Sequence, residues 1–291
     1  MRVALVTCHP FPERVIDDEE PLRAALRRRG AEVLEVPWDA DVDWAGFDVA
    51  LLRTPWDYQA RPVEFLAWCE RCGRSTRLVH DAAIVRWNLD KRYLRELAGV
   101  VPVAPTAWIE AGPEDLARVS GAVAELGGQE LLAKPVVGAN AFLAARFPRT
   151  SEGLERLSRH VADRDFMVQP YLASVESEGE LSLIWVAGAG VTHGVRKVPA
   201  RGDFRVQEDH GASDVFWEPD EAARELARHA IEAAQAVPAL VGSRVLYARV
   251  DLLKGPEGYV LNELELVEPA LFQRHFPGVG EALAERVLAS P

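Results

Sequence analysis

The sequence predicts an α/β domain followed by a larger α+β body. In the first hundred residues, short apolar runs alternate with amphipathic segments in the order β-α-β-β-α-β. This order is typical of a parallel sheet with helices on its faces. Further along, two pairs of apolar runs flank glycine-containing turns, which predicts two antiparallel hairpins.

The first part is built from short elements that follow one another closely. Its strands are predicted at 2–8, 32–37, 47–53 and 77–80, and its helices at 19–30, 62–73 and 90–99. Gly30 and Gly73 mark helix ends, and Pro62 marks a helix start. An extended, proline-marked connector at 100–106 leads to the second part.

The second part mixes hairpins with longer helices. Helices are predicted at 115–128, 151–163, 220–237 and 278–289, and strands at 130–136, 141–147 and 166–172. The two hairpins pair 180–186 with 191–198 and 244–253 with 259–267. A charged loop is expected between the first hairpin and the long helix at 220–237.

The composition excludes several functional classes. The 291 residues are 48% hydrophobic and 27% charged, which is typical of a soluble globular protein. The net charge of -12 argues against a nucleic-acid-binding surface. No apolar run is long enough to span a membrane, and the first residues do not resemble a signal peptide, so we expect a cytoplasmic protein.

The chain has three cysteines, two of which form a CxxC pattern, Cys69 and Cys72. A structural zinc site needs about four ligands, and the sequence has no second cysteine pair. The pattern closes a predicted helix, so we interpret it as two ordinary helix positions, and any further role stays open.

Two carboxylates share one face of the strand at 259–267. Glu263 and Glu265 lie two residues apart, and alternation on the partner strand places Arg249 and Asp251 on one face too. If the hairpin pairs these faces, the four side chains converge. Oxygen ligands in such a cluster favour a hard cation, Mg²⁺ or Mn²⁺. The alternative is a solvated acidic face, and alternation alone does not decide between the two.

Cationic residues in and beside strands favour a metal–nucleotide site. Lys134 ends a buried strand, where a lysine is costly unless an anion receives it. Lys91 opens a helix, and Arg196 and Lys197 lie in a hairpin strand. The sequence has no GxxxxGK[ST], GxGxxG, HExxH or GxSxG motif, so another device must hold the nucleotide.

The ordered set of motifs resembles the ATP-grasp superfamily, within its glutathione-synthetase-like branch of carboxylate–amine ligases. The similarity is greatest to the type that includes the ring-forming D-cycloserine ligase. The motifs that carry it are RTPWDY, RWNLDKRYL, VPVAPT, LLAKPVVGANA, VQPYL, GELSLIWVAGAGVTHGVRKVPARGDFRVQEDHGA, YARVDL and NELELVEPALF. The resemblance implies a Rossmann-like (pre-ATP-grasp) α/β domain at 1–87 and a two-lobed ATP-grasp domain at 88–291. The small lobe would cover about 106–172 and the large lobe about 173–291.

The resemblance also implies how ATP is bound. Lys91 and Lys134 would bind the nucleotide, with Lys134 on the α- and β-phosphates. A mobile loop would cover the phosphates, formed by Gly138, Ala139 and Asn140. A hinge would meet adenine, formed by Gln169, Pro170, Tyr171 and Leu172. Glu180 would hold the ribose, with Glu176 and Glu178 as nearby alternatives.

The metal and catalytic residues follow from the same resemblance. Asp251, Glu263 and Glu265 would hold two Mg²⁺ ions. Glu265 stands where the superfamily pattern ExN has asparagine, so which of Glu263, Glu265 and Glu268 bridges the ions stays open. Arg249 would face the phosphates. Arg205, and with it Arg196, would stabilise the transferred phosphoryl group.

Substrate residues are expected at the carboxyl end of the strand at 47–53, where α/β sheets place ligands. The candidates are Arg53, Thr54, Trp56 and Asp57. The implied reaction is ATP-dependent phosphorylation of a carboxyl or carbonyl oxygen. Attack by an amine would then give an amide or a cyclised product, ADP and phosphate.

Two alternative functions fit the sequence less well. A nucleotide-binding protein without turnover would not need Lys134, Asp251 and Glu263 together. An NAD-linked oxidoreductase would carry a glycine fingerprint after its first strand, where this chain has TCHPFPE. The expected partners are ATP and a small amino-acid-like substrate, without nucleic acid or membrane, and assembly into a homo-oligomer stays open.

Overall fold

The computed structural model describes residues 1–11 and 16–289 and has three sheets. The head sheet has the order β2-β1-β3-β4, and every strand pair in it is parallel, as predicted. Its elements are β1 (Arg2–Thr7), α1 (Ile16–Arg28), β2 (Glu32–Pro37), β3 (Val49–Thr54), α2 (Pro62–Ser75), β4 (Arg77–Val79), α3 (Ala82–Leu89) and α4 (Tyr93–Leu97).

Local signals explain where the head helices begin. Pro62 lies in the first turn of α2, where its missing N–H costs nothing. The Asp81 carboxylate accepts the backbone N–H groups of Ala83 and Ile84 and so caps α3. This short helix was not predicted. It carries the chain from the head sheet to Lys91 at the site.

The second sheet is antiparallel and has the order β5-β8-β6-β7. Its elements are β5 (Ala107–Ile109), α5 (Leu116–Ala122), β6 (Glu130–Pro135), β7 (Ala145–Pro148), α6 (Ser151–His160) and β8 (Phe166–Pro170). Thr150 caps α6, because its hydroxyl accepts the backbone N–H of Gly153.

The third sheet is antiparallel and has the order β11-β10-β9-β12-β13. Its elements are α7 (Ser174–Ser177), β9 (Glu180–Val186), β10 (Gly190–Val198), β11 (Ser213–Trp217), α8 (Glu221–Gln235), β12 (Tyr247–Gly255), β13 (Gly258–Glu265) and α9 (Gly278–Ala289). Both predicted hairpins form, and β9 joins them by pairing with β12.

Besides the unpredicted elements α3, β5 and α7, three segments differ from the sequence prediction. The predicted strand at 141–147 is mostly a turn, since Asn140, Ala141 and Leu143 adopt positive φ and only Ala145–Pro148 pairs. The charged loop contains the edge strand β11. None of its residues is buried, so its sequence lacks the apolar–polar alternation of a half-buried strand. The predicted helix at 115–128 ends at Ala122.

The cores show which parts are packed together. One core combines Val3, Leu5 and Leu26 of the head with Ile184 and Leu283 of the third-sheet unit. The second sheet has a core with α5 and α6, which includes Leu131, Phe147 and Phe166, and its strand β8 also places Met167 in the core of the third sheet. In the described part of the chain, no helix is both long and apolar enough to cross a membrane.

Candidate active site

A cavity of about 690 Å³ opens between the second and third sheets and the head loop that follows β3. Both hairpin strands β12 and β13 contribute side chains to its wall. Most of the predicted site residues line it: Trp56, Asp57, Lys91, Lys134, Gly138, Ala139, Asn140, Gln169, Pro170, Tyr171, Leu172, Glu180, Arg205, Arg249, Asp251, Glu263 and Glu265. Arg53, Thr54 and Arg196 are absent from this lining.

Two lysines from different elements meet one carboxylate. The Lys134 ammonium lies 3.5 Å from Glu263, and that of Lys91 lies 3.9 Å from the other carboxylate oxygen. Lys91 also donates to the backbone oxygen of Gly138 at 2.7 Å. Burial raises the pKa of Glu263, but the two lysines outweigh it and the pKa lies below its ordinary value. Lysines gathered in this way can receive a polyphosphate.

The hairpin brings the predicted charges face to face. Arg249 pairs with Glu265 across the strands, and Asp251 pairs with Glu263. The Arg249 guanidinium donates to Asp251 at 2.9 and 3.0 Å and also contacts Glu265. Burial raises the pKa of Asp251, but the charges of Arg249 and Lys197 lower it by more, so that the pKa is about 2. Asp251 is therefore a carboxylate at neutral pH.

A bulge in β13 adds a residue that alternation did not predict. The register shifts between Asp251 and Leu252, so Asn262 is the extra residue opposite them. Its side-chain oxygen accepts from Lys134 at 3.0 Å, and its amide donates to Glu180 at 2.5 Å. Asn262 is 4% exposed and lines the cavity. Asn262 links Lys134, the lysine predicted to bind the phosphates, to Glu180, the carboxylate predicted to hold the ribose.

Arg196 lies on the wrong face of β10 for the role assigned to it. Its guanidinium donates to the backbone oxygen of Ser177 at 2.8 Å, outside the cavity. Because neighbouring strand residues point to opposite faces, Lys197 is the one that lines the cavity. Lys197 contacts Glu180 and lies 3.5 Å from Asp251. Strand alternation already distinguished these two neighbours, but the prediction placed only Arg196 in a catalytic role.

The acidic cluster has the donor chemistry of a Mg²⁺ site. Across residues 1–11 and 16–289, no group of three or more His, Cys, Asp or Glu side chains is arranged to hold a metal ion as it stands. Cations of the protein hold these carboxylates instead, with Arg249 between Asp251 and Glu265. Burial, with Asp251 and Glu263 nearby, raises the pKa of Glu265 to about 8 despite Arg249. A hard divalent cation would relieve this repulsion, so the residues fit the ion.

The predicted phosphate loop is held by both flanking units. The backbone N–H of Ala139 donates to the side chain of Gln59 in the head loop at 2.9 Å. The Asn140 side chain donates to Asp209 at 2.6 Å. Arg205 is bound by Asp203, which it contacts at 2.7 Å, and it faces the same cavity.

The predicted hinge continues from the end of β8. Gln169 donates its side-chain amide to Thr106 at 2.9 Å, and the N–H of Tyr171 donates to the Glu130 backbone oxygen at 2.9 Å. The Arg146 guanidinium stacks on Tyr171 at 3.7 Å. The contacts of Gln169 and Tyr171 fix the position of this segment, and its proline, tyrosine and leucine give the cavity a largely apolar wall there.

Of the four substrate candidates in the head, two stabilise the head and two line the cavity. Arg53 is 2% exposed and pairs with Glu19 at 2.7 Å, while Thr54 donates to the Thr7 hydroxyl at 2.8 Å. Both tie the head together beneath the cavity and do not reach it. They end a strand whose residues are all buried. Trp56 and Asp57 come after the strand end and do line the cavity.

The sequence prediction missed a carboxylate on this side of the cavity as a substrate candidate. Glu268 is 8% exposed and accepts the Tyr58 hydroxyl at 2.7 Å. The Trp56 indole N–H donates to the backbone oxygen of Glu268 at 3.2 Å. The adjoining head loop, RTPWDYQ, and the sequence VEPAL after β13 were the available signals.

Comparison with known proteins identifies the family of this chain. A family model described as D-cycloserine synthetase DcsG, N-terminal domain, matches residues 3–80. The cycloserine biosynthesis protein DcsG of Streptomyces lavendulae is 35% identical over 274 residues, which cover 87% of each chain.

Solved structures agree over almost the whole chain. The crystal structure of D-cycloserine synthetase DcsG has a TM-score of 0.86 at 33% identity, covering 99% of this chain and 100% of that one. A RimK domain ATP-grasp protein from Sphaerobacter thermophilus has a TM-score of 0.68 at 21% identity, covering 99% and 100%. This second likeness shows the fold. Enzymes of this kind use ATP, typically with Mg²⁺. The chain thus belongs to the D-cycloserine synthetase family of ATP-grasp proteins and is an ATP-dependent ligase.

Proposed function

We propose that the protein phosphorylates the carboxyl group of a small amino-acid-like molecule and then closes a C–N bond within that molecule. The observation that carries this proposal is the convergence of Lys91 and Lys134 on Glu263 beside the Arg249–Asp251–Glu265 cluster. The name of the family's relative, a D-cycloserine synthetase, supports ring closure, because cycloserine is a cyclic amino-acid derivative.

ATP would lie between the second and third sheets. We assign the phosphates to Lys91 and Lys134, with the loop Gly138–Asn140 above them. The hinge from Gln169 to Leu172 would meet adenine, and Glu180 would hold the ribose. The contact of Glu180 with Asn262 and Lys197 supports this, since the network fixes the carboxylate inside the cavity.

Asp251, Glu263 and Glu265 would hold two Mg²⁺ ions, which would supply neutralisation of the negative charge of the phosphates. Lys91 and Lys134 would leave Glu263 and turn to the phosphates when ATP enters. Arg249 would leave Glu265 in the same way and face the γ-phosphate. These exchanges keep the charge of the site balanced, because each cation gives up a carboxylate and gains a phosphate oxygen.

The bonds formed and broken are these. A carboxylate oxygen of the substrate takes the γ-phosphoryl group, and ADP leaves. An internal nitrogen then attacks the activated carbonyl carbon, the C–O bond to phosphate breaks, and the nitrogen loses a proton. Arg249 and Arg205 would stabilise charge on the transferred phosphoryl group, while Trp56 and Asp57 would contact the substrate.

We also propose the division into a head at 1–87 and an ATP-grasp domain at 88–291, with lobes at about 106–172 and 173–291. The positions of the three sheets support this division. The cavity lies where the three parts meet.

ADP release over a panel of amino-acid derivatives tests the reaction, with product masses by mass spectrometry. Ring closure gives a product lighter than its substrate by one water. An amide between two molecules gives the sum of two masses less one water, and that result would replace ring closure by intermolecular ligation. Bound ATP without ADP formation from any candidate would refute turnover.

Glu263→Gln tests the metal assignment. It should abolish Mg²⁺-dependent ADP release and leave the fold intact. Glu232→Gln, an exposed carboxylate on α8 paired with Arg228, is the matched control and should turn over like the natural protein. Unchanged turnover of Glu263→Gln would sink the metal assignment.

A further inference from the structure

The acids of the cavity differ in whether the protein supplies them with a cation. Asp251 and Glu265 share Arg249, and Glu263 has Lys91 and Lys134. Glu268 also lines the cavity, at 8% exposure, yet it has no ion-pair partner among the described residues. A buried carboxylate in this state is costly unless a ligand brings positive charge.

The surroundings hold Glu268 in place without neutralising it. Tyr58 donates its hydroxyl to one carboxylate oxygen at 2.7 Å, which fixes that side of the group. Trp56 donates its indole N–H to the backbone oxygen of the same residue at 3.2 Å. Burial raises the pKa of Glu268, while the Tyr58 hydrogen bond and the charges of Lys91 and Arg249 lower it in part. Besides Tyr58, the donor to this carboxylate among the described residues is the backbone N–H of Glu268 itself, so the group keeps capacity to accept hydrogen bonds from a ligand.

Glu268 lies on the head side of the cavity. Trp56 and Tyr58 belong to the loop after β3, whereas the lysines belong to α3–α4 and β6. Glu268 therefore sits between the substrate loop and the cluster around Arg249. The charges of Lys91 and Arg249 act on Glu268 and all three residues line the cavity, so a small molecule bound there can meet both the cations and Glu268.

We infer that Glu268, oriented by Tyr58, binds the ammonium group of a substrate that is a free α-amino acid derivative. This inference rests on the proposed function and names its substrate class. The chemistry matches because an ammonium group has three hydrogen-bond donors and a positive charge, whereas Glu268 has acceptor oxygens and lacks a cationic partner among the described residues. Tyr58 is a positioning residue, since its hydroxyl is used by the carboxylate.

The test measures ligand binding to protein that is saturated with Mg²⁺ and ADP. The probes are two matched pairs that differ only in the amino group: D-cycloserine with isoxazolidin-3-one, and D-serine with 3-hydroxypropionate. Calorimetry gives the affinities, and the natural protein should bind the amine-bearing member of at least one pair more tightly. Binding without that preference, or no binding of either amine, would overturn the inference.

Glu268→Gln should lower affinity for the amine-bearing ligand by about 10- to 100-fold, the usual size of a lost charge-assisted hydrogen bond. Its affinity for the partner without the amine should change little. Tyr58→Phe should act in the same direction but more weakly, raising KM more than it lowers kcat. It also keeps the inference testable if Glu268→Gln does not fold. Glu232→Gln serves again as control.

Other outcomes separate this inference from the proposed function. If Glu268→Gln weakens Mg²⁺–ADP binding and leaves the amine preference unchanged, Glu268 belongs to the metal site and the inference fails. If the natural protein prefers the amine but releases no ADP with any substrate, the proposed function fails while the ammonium site stands.

Discussion

Replacing Lys197 or Arg196 by methionine distinguishes two neighbours that point to opposite faces of β10. Methionine keeps an unbranched apolar stem and removes the charge in both variants. Lys197 lies 3.5 Å from Asp251 and contacts Glu180, with its side chain 8% exposed. Arg196 lies outside the cavity and holds a backbone oxygen at 2.8 Å.

The expected stability losses follow from these contacts. At 3.5 Å, one ion pair is worth about 5 kcal/mol gross at an effective dielectric constant of about 20. Removing one partner of a buried pair costs about 3–5 kcal/mol net. We therefore expect Lys197→Met to lose about 3–5 kcal/mol of unfolding free energy. Arg196→Met should lose about 1 kcal/mol or less, since only a partly exposed hydrogen bond is removed.

The assay is urea unfolding followed by fluorescence of the eight tryptophans. Burial raises the pKa of Glu180, although Lys197 opposes the rise. Without Lys197 the pKa should rise further, so Glu180 can be protonated as the pH falls and the loss should shrink toward pH 5. The same variants titrated with Mg²⁺–ADP should show weakened binding for Lys197→Met alone.

Equal losses in the two variants would refute the reasoning. A loss of stability for Arg196→Met with none for Lys197→Met would do so as well, because Lys197 is the neighbour whose charge is buried and paired with two carboxylates. Retained stability with lost nucleotide binding in Lys197→Met would mean that the buried pair contributes to the site and little to the fold.

Three further outcomes are expected. Because the pKa of Glu265 is about 8, this residue holds a proton at pH 7 that Mg²⁺ must displace. Calorimetry in buffers of different ionisation enthalpy should therefore show release of about one proton when Mg²⁺ binds, and Glu265→Gln should abolish this release. Mg²⁺ affinity should increase as the pH rises to about 8. Asn262→Asp places a carboxylate against Glu180 and should weaken nucleotide binding at least about tenfold in the same titration. Gly153→Ala should lower the melting temperature by several degrees, since its Cβ would lie 1.9 Å from the Pro148 backbone oxygen, and an unchanged melting temperature would contradict this.

The sequence predicted the fold class and both hairpins because their signals are local. Apolar alternation set the faces of β12 and β13, and Arg249 met Glu265 as that alternation required. The bulge at Asn262 was not predictable, since one extra residue leaves no mark in a short strand. Glu268 was missed as a substrate candidate for a different reason, because its environment is made by Tyr58, 210 residues away in sequence.

Arg53 illustrates the limit of placing a ligand at a strand end. The rule concerns the end of the sheet, and Arg53 lies one step inside it, where Glu19 and the Pro269 backbone oxygen hold its guanidinium. Arg53 and Thr54, the last two residues of β3, both serve the scaffold, and the candidates that line the cavity begin at Trp56, two positions beyond the strand.

The separate core of the second sheet has a mechanical consequence. The head and the third sheet share one apolar core, so they form one stiff platform that carries Glu268, Arg249 and the carboxylate strand. The lobe with Lys134 and the proposed adenine hinge has most of its buried residues in a core of its own, and Met167 of β8 is its buried residue in the core of the third sheet, so a tilt over that platform would turn about this contact. We therefore expect that a tilt of the second-sheet lobe, which would open the cavity for nucleotide exchange, leaves the shape of the amino-acid side of the cavity unchanged. Selectivity for the small substrate would then be the same whether the lobe is open or closed.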